Sequence, residues 1–105
     1  EDFYANVCAG HLRPVVIVQN DSLNISRLTT YLAVPLTSNM RRRSVPWNLF
    51  LPVEATGLEK DSVAQPTLTL AIDDVQLVER VGRISEKHLA QLFSKLDVVL
   101  GRTDS

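Results

Sequence analysis

Apolar and polar positions alternate over the first two-thirds of the chain with the two-residue period of strands, and the last third changes to the period of a helix. Phe3, Ala5 and Val7 alternate with polar or amphipathic neighbours and predict an opening strand. Val15-Val16-Ile17-Val18 is an unbroken β-branched run, the pattern of a strand buried on both faces. Asn20-Asp21-Ser22 ends it with turn chemistry. A third strand is expected from Thr29 to Leu36, then a loop from Asn39 to Pro46, then a short strand from Asn48 closed by Pro52. Thr56-Gly57 predicts a turn. Ser62 to Ile72 reads as one strand in which Pro66, lacking an amide hydrogen, marks an edge or a bulge.

Asp73 and Asp74 look like the start of a helical turn, and Val78 to Ile84 returns to strand. Ser85 is a natural N-cap, and Glu86 suits the positive end of the helix dipole. Leu89, Leu92, Phe93, Leu96, Val99 and Leu100 then recur at three- and four-residue spacing, giving one apolar stripe that Gly101 stops. The pattern predicts a small, strongly bent antiparallel sheet or barrel, mainly β, capped by one C-terminal helix.

The 105 residues fit a single domain over 1–105, with 45% hydrophobic and 22% charged residues. A domain this small buries a modest core, so pairing with a second copy is a natural source of stability. The formal charge of −1 excludes attachment to nucleic acid by bulk electrostatics, so any such site must rest on local charge. Cys8 is the single cysteine, and with His11 and His88 scattered there is neither a disulfide nor metal-ligand spacing; no metal or cofactor is expected. There is no phosphate-cradling glycine loop and no Ser/His/Asp order. With no apolar run of membrane-spanning length and no leader pattern, a cytoplasmic protein without membrane attachment is expected. The start at Glu1 suggests that N-terminal residues precede it.

Several segments resemble, in order, the MazF/PemK family of bacterial toxins. Glu1-Asp2-Phe3-Tyr4-Ala5-Asn6-Val7 is similar to its opening strand, and Arg13-Pro14-Val15-Val16-Ile17-Val18-Gln19-Asn20-Asp21 to its Arg-Pro-strand-Asn-Asp signature. Val34-Pro35-Leu36-Thr37-Ser38 matches the end of its third strand, and Gly57-Leu58-Glu59-Lys60-Asp61-Ser62-Val63 its Gly-Leu-x-x-Asp-Ser-Val stretch. Val81-Gly82-Arg83-Ile84-Ser85 and the final helix match its closing element. The resemblance implies an SH3-like barrel of the CcdB/PemK type with a C-terminal helix, assembled as a homodimer. It also implies a metal-independent endoribonuclease that cuts single-stranded mRNA at short motifs, leaving a cyclic phosphate and a 5′ hydroxyl. A MazE-like antitoxin is implied as partner, covering the groove with a flexible acidic segment.

RNA carries its own nucleophile, the 2′ hydroxyl, so the protein has only to position the phosphate, stabilise its charge and assist proton transfer. Arg13 matches the family's catalytic arginine, and a guanidinium that stays protonated suits the charge role; the alternative is an arginine solvating a strand start before Pro14. Thr37 matches the second catalytic position and can donate its hydroxyl to a phosphate oxygen, though it is also a plain strand residue. His11, Pro14 and Ser38 flank these two and are candidate RNA contacts. The Arg41-Arg42-Arg43 run is a candidate track for the RNA backbone or a solvated face. Trp47 and Tyr4 are candidate stacking surfaces or core aromatics.

Two departures from the family stand out. Its Gln-hydrophobe-Arg-Thr base-reading pattern is replaced by Ala64-Gln65-Pro66-Thr67-Leu68-Thr69-Leu70-Ala71, which leaves Ser62, Gln65 and Thr67 as candidate contacts and the base preference open. The family's longer loop between the first two strands is reduced to Cys8-Ala9-Gly10-His11-Leu12, so further residues are expected between Val7 and Cys8. The competing expectation is a non-cleaving relative of the same fold, either a CcdB-like gyrase poison, disfavoured by the Leu100-Gly101-Arg102-Thr103-Asp104-Ser105 ending, or a binding module.

Overall fold

The computed structural model describes residues 2–8, 11–18, 30–73 and 77–101, with side chains described for 14–18, 31–72 and 83–101. The strands are β1 (Asp2–Cys8), β2 (His11–Ile17), β3 (Thr30–Thr37), β4 (Leu49–Leu51), β5 (Ser62–Ala64), β6 (Leu70–Asp73) and β7 (Leu77–Arg83). Two α-helices, α1 (Val53–Thr56) and α2 (Glu86–Val99), and two 3-10 turns, Met40–Ser44 and Pro66–Leu68, complete it. The strands join in one antiparallel sheet ordered β4-β5-β3-β2-β1-β7, with β6 pairing the remaining part of β3. This is the antiparallel sheet with a C-terminal helix, mainly β, that the apolar pattern predicts.

Strand β1 runs without interruption through Val7 and Cys8, whose register partners on β2 are Leu12 and His11. The predicted turn at Asn20-Asp21-Ser22 and the residue Asp74 lie outside the described residues. Asp73 does not begin a helix; it ends β6, paired with Thr30.

Strand β3 organises the molecule because its two edges hold three other strands. One edge pairs β2 from Ala33 to Pro35, and the other pairs β6 from Thr30 to Ala33 and then β5 at Leu36 and Thr37. The single strand expected from Ser62 to Ile72 is therefore two strands on one edge of β3. Five residues separate Ala64 from Leu70, whereas two separate their partners Leu36 and Ala33, so three residues loop out. Pro66 explains the break: it has no amide hydrogen to continue the ladder, and its fixed φ starts a 3-10 turn. The loop is self-bonded, with Leu68 N–H on the Gln65 carbonyl at 3.0 Å and Thr69 Oγ1 on the Pro66 carbonyl at 2.6 Å.

The strand period sorts the core into two clusters. Val16, Val34, Leu36, Leu51 and Ala64 join Ile84 and the helix residues Leu92 and Leu96 on one side. Val15, Ile17, Ala33 and Ile72 form the other, with Tyr31 packed against it. The β-branched run of β2 is thus buried on both faces, as its composition predicts. On α2 the stripe is narrower than the spacing suggests: Leu92 and Leu96 are buried, whereas Phe93 and Leu100 are exposed.

Ser85 caps α2, its Oγ accepting from the His88 amide at 3.3 Å and contacting His88 Nδ1 at 2.6 Å. Its own amide donates to the Ala55 carbonyl, tying α2 to α1. Ser85→Ala should lower stability by about 1 kcal/mol, because the orphan His88 amide loses its acceptor. Thermal unfolding checks this, and an unchanged midpoint would show that water replaces the cap. Leu100 ends the helix, and Gly101 takes the left-handed conformation at φ 75°.

Candidate functional site

Arg13 lies on β2 opposite Asn6 of β1, and His11 opens the same strand opposite Cys8. The β2–β3 ladder ends at the pair Val15 and Pro35, and Arg13 and Thr37 each lie two residues beyond that pair, at the same end of the two strands. The two residues singled out for phosphate chemistry, 24 positions apart in sequence, are thereby brought to adjacent strands by sheet pairing alone. Pro14, opposite Ala5, is half-buried beside them.

Thr37 is the last residue of β3 and half-buried. Its Oγ1 accepts the Asn39 amide at 3.2 Å. A hydroxyl that accepts from an amide keeps its own proton for donation, which is the property a phosphate oxygen requires. Ser38 is exposed immediately after it.

The expected loop from Asn39 to Pro46 is instead opened by a 3-10 turn over Met40–Ser44. Asn39 was not singled out in sequence, yet it is the local cause: its Oδ1 accepts the Arg41 amide at 3.1 Å, and its carbonyl accepts the Arg42 amide. Arg41, Arg42 and Arg43 are exposed on this turn, which has no acidic residue in its first turn. Arg43 lies 3.9 Å above the Phe50 ring, so part of the basic run is held on an aromatic face.

Beside this turn is an open cleft of 360 Å³. One wall comes from the β3–β4 connection, with Arg42, Val45, Trp47 and Asn48; the other comes from the loop after β5, with Gln65, Thr67 and Leu68. The Gln65 amide donates to the Pro35 carbonyl at 3.1 Å, which anchors the second wall two residues from Thr37. Val45, Asn48 and Leu68 carried no sequence signal, because their role depends on two loops meeting. Ser62, by contrast, is buried at 4% exposure in β5 opposite Leu51, so the described fold presents little of it to a ligand. Among the described residues, no three His, Cys, Asp or Glu side chains gather as a metal-holding group.

The sequence matches the PemK-like, MazF-like toxins of type II toxin–antitoxin systems over residues 4–100. It is 40% identical over 90 residues to the endoribonuclease MazF6 of Mycobacterium tuberculosis, covering 86% of this chain and 75% of the relative. The fold is similar to that of the Mycobacterium tuberculosis toxin MazF-mt6, with a TM-score of 0.83 at 18% identity over 96% of this chain and 97% of that one. An endoribonuclease from a mycobacterial species, solved in complex with its cognate antitoxin, gives a TM-score of 0.84 at 18% identity over 97% and 93% of the two chains.

Proposed function

Because the chain belongs to the PemK-like, MazF-like toxins of type II toxin–antitoxin systems, we propose that it is an endoribonuclease that cuts single-stranded mRNA and is silenced by a cognate antitoxin. The reading is supported by Arg13 and Thr37 standing on adjacent strands, each two residues beyond the Val15–Pro35 pair, at the end of β3 from which the basic turn departs. In the proposed reaction the ribose 2′ oxygen bonds to the adjacent phosphorus as the bond from phosphorus to the 5′ oxygen breaks. One proton leaves the 2′ hydroxyl and one is delivered to the 5′ oxygen, so the ends are a 2′,3′-cyclic phosphate and a 5′ hydroxyl. Arg13 stabilises the charge on the phosphate oxygens and remains protonated throughout, and Thr37 donates its hydroxyl to one of them. The nucleophile belongs to the substrate, so the reaction requires no metal.

Arg41 and Arg42 extend a positive surface from that site along the RNA backbone, and local charge does what the near-neutral chain as a whole does not. His11, Pro14 and Ser38 border the scissile position. Two copies assemble as a homodimer, and a flexible acidic antitoxin segment competes with RNA for the same groove. No helix among the described residues is long and apolar enough to cross a membrane, and we place the protein in the cytoplasm, where its RNA substrate is.

Incubation with a long single-stranded RNA in excess EDTA tests the reading. Discrete cuts ending in 2′,3′-cyclic phosphate are expected. Intact RNA with folded protein would instead mean a non-cleaving relative.

A further inference from the structure

We propose that the cleft between the two 3-10 turns seats one unpaired base of the RNA next to the cut, with Trp47 as its stacking surface and Asn48 and Gln65 as readers of its edge. The inference rests on the endoribonuclease reading and adds a specificity site that the family's base-reading pattern, absent here, does not supply.

The chemistry of the lining favours a base. Trp47 is 44% exposed, and an indole presented to solvent beside a cleft is a platform on which any base can stack. Around it stand two primary amides, a hydroxyl from Thr67 and the guanidinium of Arg42. Amides offer a donor and an acceptor together, which is the complement of a base edge. Among the described residues of the lining Arg42 is the one charged side chain, so the lining itself offers an acidic peptide a single cation. At 360 Å³ the cleft is at the lower end of the range for small-ligand sites, which suits a single base better than an extended chain.

Asn48 supplies an independent sign. Its Nδ2 donates to the Arg42 carbonyl at 3.0 Å, which fixes the amide orientation. Its Oδ1 is thereby left as a covered acceptor with no partner. Buried acceptors are rarely left unpaired; this one is closed to solvent as the cleft stands, so a base amino group pairs it only as the Asn48 side chain turns toward the Trp47 ring.

The walls are also held in place. Lys95 of α2 reaches across to donate to the Pro46 carbonyl at 2.7 Å, bracing the residue before Trp47. Gln65 is anchored through its own amide to Pro35, two residues from Thr37 on β3. Two residues of strand span about 7 Å, so the cleft and the phosphate position are within reach of neighbouring nucleotides of one strand.

Trp47 is the one tryptophan of the chain, so its fluorescence reports the cleft directly. The full chain is titrated with a fluorescently labelled, randomised single-stranded RNA pool, 2′-O-methylated so that it cannot be cut, and separately with inorganic polyphosphate. Anisotropy of the label follows binding. Quenching of Trp47 by the RNA and not by polyphosphate is expected. In parallel, a cuttable pool digested by the unaltered protein and by Gln65→Ala is sequenced at its fragment ends. Base preference at a single position beside the cut should fall about tenfold in the variant. RNA that binds or is cut without a change in Trp47 emission would overturn the cleft alone. Equal quenching by polyphosphate would reduce it to a charge effect and overturn it too. RNA that neither binds nor is cut would overturn the endoribonuclease reading along with it.

Discussion

Arg13→Ala is expected to lower the single-turnover rate of RNA cleavage by about a hundred- to a thousandfold, the loss typical when one preorganised donor to a developing anion is removed. Arg13→Lys should recover only part of it, because a point charge replaces a fork that can bond two phosphate oxygens at once. Thr37 offers a sharper companion test. Thr37→Val keeps the β-branched shape but removes both the donor and the acceptor that holds the Asn39 amide, whereas Thr37→Ser keeps the hydroxyl. The valine variant should be impaired and the serine variant nearly active. If Arg13 and Thr37 serve the same phosphate, the double variant should be no worse than roughly the more damaged single one, since residues acting as a unit are non-additive. Thermal unfolding of each variant separates catalysis from folding. Near-normal cutting by Arg13→Ala with an intact fold would remove Arg13 from the site.

The limits of the sequence reading have a physical pattern. Strands whose own composition specifies them are legible to within a residue at β3 and at Leu49–Leu51 before Pro52, whereas the β-branched run marks only the second half of β2, whose His11 and Leu12 read as a link until β1 pairs them. The helix with its Ser85 cap and Gly101 stop was equally legible, because caps and glycine stops are local devices. What failed depended on pairing. Asp73 resembled a helix start until β3 recruited it as the partner of Thr30. The stretch from Ser62 to Ile72 has strand composition throughout, but Pro66 divides it, and only the offset against β3 shows how much of it loops out.

The same division holds for the candidate site. Arg13 and Thr37 stand out through matched motifs, and the pairing of β2 with β3 is what puts them on adjacent strands. Gln65 and Thr67 were named as contacts, yet no spacing in the chain places them across a cleft from Trp47 and Asn48. Ser62 was named and is buried, because the inward or outward sense of a strand residue is fixed by which neighbours flank it. Binding surfaces made by two loops are legible only after the strands that carry them are paired.

Leu92→Ala should cost about 2–5 kcal/mol of stability, the range for truncating a fully buried leucine. Leu92 has 0% exposure and belongs to the core cluster that includes Val16, Val34, Leu36 and Leu51, so truncating it leaves a void in that cluster. That cost is a large part of the ~5–15 kcal/mol available to a domain of this size. Leu100→Ala, at the C-cap of the same helix but at 67% exposure, should change stability by less than about 0.5 kcal/mol. Denaturant midpoints at one protein concentration measure both, with an unchanged slope confirming that the native state is the same. Equal, small effects would mean that α2 is not the lid of this core. The consequence would reach beyond stability, because α2 also carries the Lys95 brace to Pro46. A helix loosened at Leu92 should therefore release the wall that bears Trp47 before the sheet unfolds, and Trp47 emission should shift at lower denaturant than the far-ultraviolet signal of the strands. Coincident transitions would mean that the brace and the sheet melt as one unit.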